Sequence, residues 1–138
     1  MVNAAEAYRR QQIMTATPEA LTLMLYNGCL KFISEGQEAM AKKDYEQMNT
    51  SLQKAQNIIS EFRITLNMDY EISHQLMPLY NYCYDRLVEG NLKDDAAMVE
   101  EAKGIITELR DAWAQAMKKA RQEKKPNAQA ASGGGYVG

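Results

Sequence analysis

His74 is the only histidine in this 138-residue chain, and Cys29 and Cys83 are its only cysteines. A lone histidine can do acid–base or phosphotransfer chemistry, but it cannot build a multi-histidine metal site. A di-iron bundle needs a Glu-x-x-His motif on each of two helices, which a single histidine cannot supply, and CxxC, HExxH and a glycine-rich phosphate loop are absent. Each cysteine falls inside an apolar helical pattern, which fits a small buried hydrophobe better than a nucleophile or a disulfide framework. His74 sits beside apolar Leu76 and Met77, near a helix start rather than mid-helix on a solvated face. That context fits a surface or capping role. The chemistry left to this chain is recognition, carried by eight tyrosines and nine methionines. Tyrosine offers apolar area with a polar tip, and methionine adapts to varied shapes.

The elements that must position these residues are helices. Strand-like alternation is absent and proline is scarce, with three residues. The first helical stretch runs from Pro18 to about Ala41, with Thr17 as N-cap and Pro18 at the first helical position. Asp44 opens a second, with Gln47 three residues on. Its apolar residues, Tyr45, Met48, Leu52, Ala55, Ile59, Phe62 and Leu66, are spaced alternately by three and four. The third spans roughly Ile72 to Gly90, and Pro78 implies either a later start or a kink. The fourth follows Asp94 or Asp95 to about Lys124, with a narrow stripe through Val99, Ala102, Ile106, Leu109, Trp113, Ala116 and Ala120. The expected fold is all-α, an antiparallel up-down four-helix bundle with an N-terminal arm. Residues 1–17 form the arm, 18–124 the bundle and 125–138 a Gly-rich tail expected to be disordered. Phe32, Leu52, Phe62, Leu109 and Trp113 are expected in the core.

Helices one and three carry more apolar surface than one packed face needs. On a wheel of 100° per residue, the apolar arc of Pro18–Ala41 approaches ~200°, where a surface helix needs little more than ~100°. Either the bundle buries these two helices more deeply, with the arm covering the remainder, or the surplus forms an external groove for a partner. The groove reading selects Leu23, Tyr26, Leu30 and Ile33 from helix one and Met77, Tyr80 and Tyr84 from helix three. Tyr8 and Ile13 of the arm would act as a displaceable lid. On that reading Tyr26→Asp weakens partner binding and leaves the helices intact.

The charge balance narrows the partner. A net charge of −2 lacks the basic surplus of a nucleic-acid binder. No apolar run approaches the roughly 18–20 residues that cross a bilayer, and the opening MVNAAEAYRRQQ lacks the apolar core of a secretory signal. The expectation is a cytoplasmic protein without direct membrane insertion, needing no cofactor and no metal, monomeric or weakly homodimeric.

Several stretches in order resemble a known family. Tyr8 precedes Thr15–Glu19 (TATPE), Leu23–Gly28 reads LMLYNG, Lys54–Asn67 reads KAQNIISEFRITLN and Leu79–Asn91 reads LYNYCYDRLVEGN. Over about residues 8–120 the chain resembles the flagellin-specific export chaperones, the FliS family. Asn27 stands where the family has an acid, Gly90 where it has a small alanine, and Pro78 departs from its pattern. The resemblance implies a non-enzymatic, ATP-independent chaperone. Such a protein binds the disordered C-terminal segment of flagellin, keeps it from polymerising early and delivers it to the membrane export gate. The alternative from another class is a homodimeric bundle scaffold with no client.

Overall fold

The computed structural model describes residues 3–124, so the Gly-rich tail at 125–138 lies outside the described residues. Five helices follow one another: α1 (Ala4–Thr15), α2 (Pro18–Ala41), α3 (Tyr45–Thr65), α4 (Glu71–Lys93) and α5 (Ala96–Lys124). The bundle is α2 to α5. Its caps are those the residue types dictate: Thr17 Oγ1 accepts from Ala20 N at 3.1 Å, and Asp44 Oδ1 from Gln47 N at 3.1 Å. Asp94 ends α4 in the left-handed conformation (φ 53°), a backbone that aspartate tolerates better than most residues.

Residue pairs across the interfaces show the directions. Between α2 and α3, Tyr26 meets Phe62, Cys29 meets Ala55 and Gly36 meets Leu52, one number rising as the other falls. Between α3 and α4, Arg63 bonds Asn81 and Asn49 bonds Asn91. Between α4 and α5, Cys83 faces Ala102 and Gly90 faces Val99. Between α2 and α5, Arg110 donates to Asn27 and Gln37 to Glu100. Each neighbouring pair is antiparallel, and the four close into a ring. Short connections between sequential helices leave few other arrangements.

That ring accounts for part of the wide apolar arc of α2. It packs against α3 on one side and α5 on the other, which encloses Tyr26, Leu30, Ile33 and Met40, while Leu25 stays exposed and Leu21, Leu23 and Phe32 are half-buried. Leu30 and Ile33 belong to the core, Ile33 with no exposed surface; they are not groove residues, because the second flank of the arc faces α3 and α5 rather than solvent. Leu52 and Phe62 are core residues as expected. Phe32, Leu109 and Trp113 are only partly buried and pack against the core from outside. Cys29 and Cys83 are fully enclosed, and burial pushes both thiols up to about 12. They act as small apolar side chains.

One segment differs from expectation, and for another the structure removes the later start that Pro78 leaves open. The arm is a regular helix, α1, capped by Asn3, whose Oδ1 accepts from Glu6 N at 2.7 Å. It buries none of its residues, and helix-forming Ala, Arg and Gln explain its helicity without packing. In addition, α4 begins at Glu71 and continues through Pro78. Its start is secured from the preceding turn, where the Ser73 hydroxyl donates to the Asn67 carbonyl and His74 Nε2 lies 2.9 Å from the Met68 carbonyl. His74 thus works as a turn-holding residue.

Gly36 marks the tightest α2–α3 approach. A Cβ there would lie 2.6 Å from Leu52 Cδ2 and 2.8 Å from its Cγ, and Leu52 is fully enclosed. Alanine gains up to about 1 kcal/mol of helix propensity over glycine, but overpacking against an immobile neighbour costs about 1–3 kcal/mol. Gly36→Ala is expected to lower stability by about 1 kcal/mol, read as a lower urea midpoint at unchanged slope.

Candidate functional site

The candidate site lies toward one end of the bundle. At the end carrying the α3–α4 turn, an open cleft of about 690 Å³ lies between the N-terminal half of α4 and the C-terminal half of α5. Gly90 lets α4 approach Val99 of α5 closely at the opposite end, whereas Leu76 and Leu79 face Leu109 and Trp113 across the cleft. Phe62 of α3 and Tyr26 of α2 close it from behind. The 66–70 turn adds Leu66 and Tyr70. It is fixed by Asn67, whose side-chain oxygen accepts from Asp69 N at 2.9 Å and whose carbonyl accepts from Tyr70 N at 3.3 Å.

The floor is aromatic. Phe62 lies 4.6 Å from the Tyr26 ring centroid and 5.3 Å from that of Tyr80, the latter pair stacked at 19°. The two phenol oxygens meet at 2.6 Å. Tyr26 and Tyr80 are each 3% exposed. Burial raises both phenols above the ordinary tyrosine range, so they are neutral donors and acceptors at any physiological pH. Trp113 stands on the α5 wall with its indole N–H donating to the Glu19 carbonyl at 3.0 Å, which ties α5 to the first turn of α2. Among the described residues no charged side chain lines the cleft. Three of its hydroxyls bond locally: Thr22 donates to Pro18, Thr65 to Glu61 and Ser73 to Asn67. Such a cavity disfavours charge and suits apolar groups. Among the described residues no group of three or more His, Cys, Asp or Glu is placed to hold a metal.

Of the residues singled out from the sequence, the structure brings Tyr26 and Tyr80 together at this floor. Leu30 and Ile33 are in the core. Leu23, Met77 and Tyr84 are half-buried and do not line the cleft; Tyr84 packs under the Arg63 guanidinium, 4.1 Å from the ring centroid. Tyr8 and Ile13 are exposed, at 65% and 51%, and the arm does not cover the cleft. Sequence reasoning missed Leu76, Leu79, Leu109 and Trp113 as wall residues because they sit on the core stripes. One signal could have found them. Trp113 is level with Glu19, at the very start of α2, so the stripe of α5 that continues to Ala116 and Ala120 has no α2 beside it.

Comparison with known proteins gives the family of this chain. The family model described as "Flagellar protein FliS" matches residues 1–120. The chain is 47% identical over 122 residues to the flagellar secretion chaperone FliS of Bacillus subtilis (strain 168), covering 88% of this chain and 92% of that protein. It is 32% identical over 111 residues to the FliS of Salmonella typhimurium, covering 78% and 82%. With the FliS of Escherichia coli (strain K12) the identity is 31% over 108 residues, covering 76% and 79%. An uncharged apolar cleft on an all-helical bundle is what a protein that holds rather than transforms its partner requires, and this chain belongs to the FliS family.

Proposed function

We propose that this flagellar secretion chaperone holds the C-terminal segment of flagellin by laying apolar side chains of that segment into the cleft above Tyr26, Phe62 and Tyr80. The observation that carries the reading is the cleft itself: large, open and lined by no charged residue. A disordered segment that folds on binding must offset an ordering cost of about 2–5 kcal/mol. Each well-buried apolar anchor contributes roughly 1.5–3 kcal/mol, so about one to four anchors offset that ordering cost and further ones supply the affinity. An amphipathic helix in a groove meets that need. Occupying the apolar face of the client also removes it from self-assembly, which is how a chaperone without an energy source blocks polymerisation. The family is one of chaperones and not of enzymes.

The setting is the cytoplasm, and delivery is to the membrane export gate. Among the described residues no helix is long and apolar enough to cross a membrane. The arm keeps its role as a lid in this reading. Its extended hinge, Ala16–Thr17, lies just before Thr22 at the cleft, so Tyr8 and Ile13 can swing toward the mouth.

The test is calorimetric titration with a synthetic C-terminal segment of flagellin from the same genome, followed in parallel by the fluorescence of Trp113, the chain's single tryptophan. Saturable one-to-one binding, a negative heat-capacity change and a blue shift of Trp113 as water leaves the α5 wall are the expected results. Absence of binding to the folded protein, with a scrambled segment as control, overturns the reading and leaves a homodimeric scaffold, which light scattering would then detect.

A further inference from the structure

Two phenols contain two hydroxyl protons, but the contact between Tyr26 and Tyr80 uses only one of them. Their oxygens are 2.6 Å apart, and among the described residues neither hydroxyl has another partner. Both rings line the cleft floor while being almost wholly enclosed. The hydroxyls of Thr22, Thr65 and Ser73 donate within their own helix or turn and none of them bonds either phenol, and the cysteine sulfurs of the next layer are turned to the Ala55 and Ala102 carbonyls. In the free protein, water in the open cleft can accept the spare proton. A client that seals the cleft removes that water. If it brings only apolar atoms, it leaves a donor buried without a partner, which lowers affinity.

Resting on the reading of the cleft as the client site, we propose that the client segment carries a neutral carbonyl oxygen that accepts the second hydroxyl proton of the Tyr26–Tyr80 pair. The oxygen comes from an Asn or Gln side chain, or from the unpaired last turn of a client helix. A carboxylate is disfavoured, because among the described residues no cation lines the cleft to pair with it. The aromatic floor thus measures both shape and register. Apolar anchors slide along a greasy groove with little penalty, whereas a single buried donor is satisfied at one register only.

The pair predicts an unusual mutational pattern. Tyr26→Phe leaves the Tyr80 proton, and Tyr80→Phe leaves the Tyr26 proton, so each single variant still presents one donor to the client. Each is expected to bind the synthetic flagellin C-terminal segment within about twofold of the parent. The double variant keeps the apolar shape but has no donor. It is expected to bind roughly three- to tenfold more weakly, the size of one neutral hydrogen bond, with an unchanged urea midpoint. A purely structural role would instead appear in each single variant and in the midpoint. A second arm alters the segment and needs no protein variant. Asn and Gln are replaced one at a time by Leu, and backbone amides one at a time by esters, whose carbonyls accept hydrogen bonds less well. One sensitive side-chain position identifies an amide side chain as the acceptor, and one sensitive ester identifies a backbone carbonyl. A double variant that binds as tightly as the parent, or a segment insensitive at every position, overturns the hydrogen bond while leaving the cleft intact as the site. Failure of the unmodified segment to bind overturns the cleft reading, and the proposal with it.

Discussion

Tyr26→Asp is expected to unfold the protein rather than to spare the fold and weaken binding. The exposed-groove reading of the sequence places this residue at the surface; the structure leaves it 3% exposed, against Phe62 and bonded to Tyr80. Removing a buried aromatic ring costs about 3–5 kcal/mol. The Tyr80 hydroxyl also loses its partner, and a carboxylate must be buried without a cation beside it or else take up a proton. The total approaches the whole stability of a small domain, about 5–15 kcal/mol. Urea unfolding followed by circular dichroism should show a lost or strongly lowered transition. The residual stability should also depend on pH. Burial raises the folded-state pKa of the new carboxyl above its unfolded value of about 3.9, so the native state binds more protons between the two values. The fold is therefore least impaired below about pH 4 and loses stability as pH rises toward the folded value. An intact, pH-independent transition for Tyr26→Asp would place this side chain outside the core.

The contrast between that outcome and the sequence reading shows where legibility stops. Helix starts were readable because they are local: Thr17, Pro18 and Asp44 specify their caps through neighbours three residues away. The narrow stripes of α3 and α5 were readable because one face of the helix is plainly apolar. The wide arc of α2 was not resolvable. A helical wheel gives angles about the helix's own axis and says nothing of where neighbouring helices stand. Leu30 and Ile33 look like surplus on the wheel and prove to be enclosed by the ring of helices. The cleft was hidden for a related reason. Leu76, Leu79, Leu109 and Trp113 belong by spacing to the core stripes, yet they line an open cleft. Periodicity carries no information about the separation of two axes. The helicity of α1 was written in Asn3 and Glu6 but without an apolar stripe to announce it.

Leu79→Glu is the substitution expected to abolish client binding while leaving the fold in place. Leu79 lines the cleft and is 38% exposed, on the solvent side of the enclosed Tyr80 and Cys83. Glutamate keeps the helix propensity of α4, and in the free protein its carboxylate reaches water, so the urea midpoint should stay close to the parent's. Binding changes the balance. The client loses an apolar contact that contributes roughly 1.5–3 kcal/mol, and the carboxylate must be stripped of water in a cleft with no cation to meet it, which adds about as much again. Together these weaken binding by roughly 100-fold or more, since each 1.4 kcal/mol is a factor of ten. Leu79→Gln separates the two contributions, because it loses the apolar contact without the charge and should fall between parent and Leu79→Glu. The deficit of the glutamate variant should also shrink on acidification. Client burial favours the protonated carboxyl, so the complex takes up a proton and affinity rises as pH falls toward the ordinary glutamate range. The glutamine variant should show no such dependence. Titration of all three proteins with the same flagellin segment at two pH values decides the matter. If Leu79→Glu binds as well as the parent, the client does not enter this cleft. Equal weakening of Leu79→Glu and Leu79→Gln at every pH would mean that the client touches Leu79 without sealing the cleft from water.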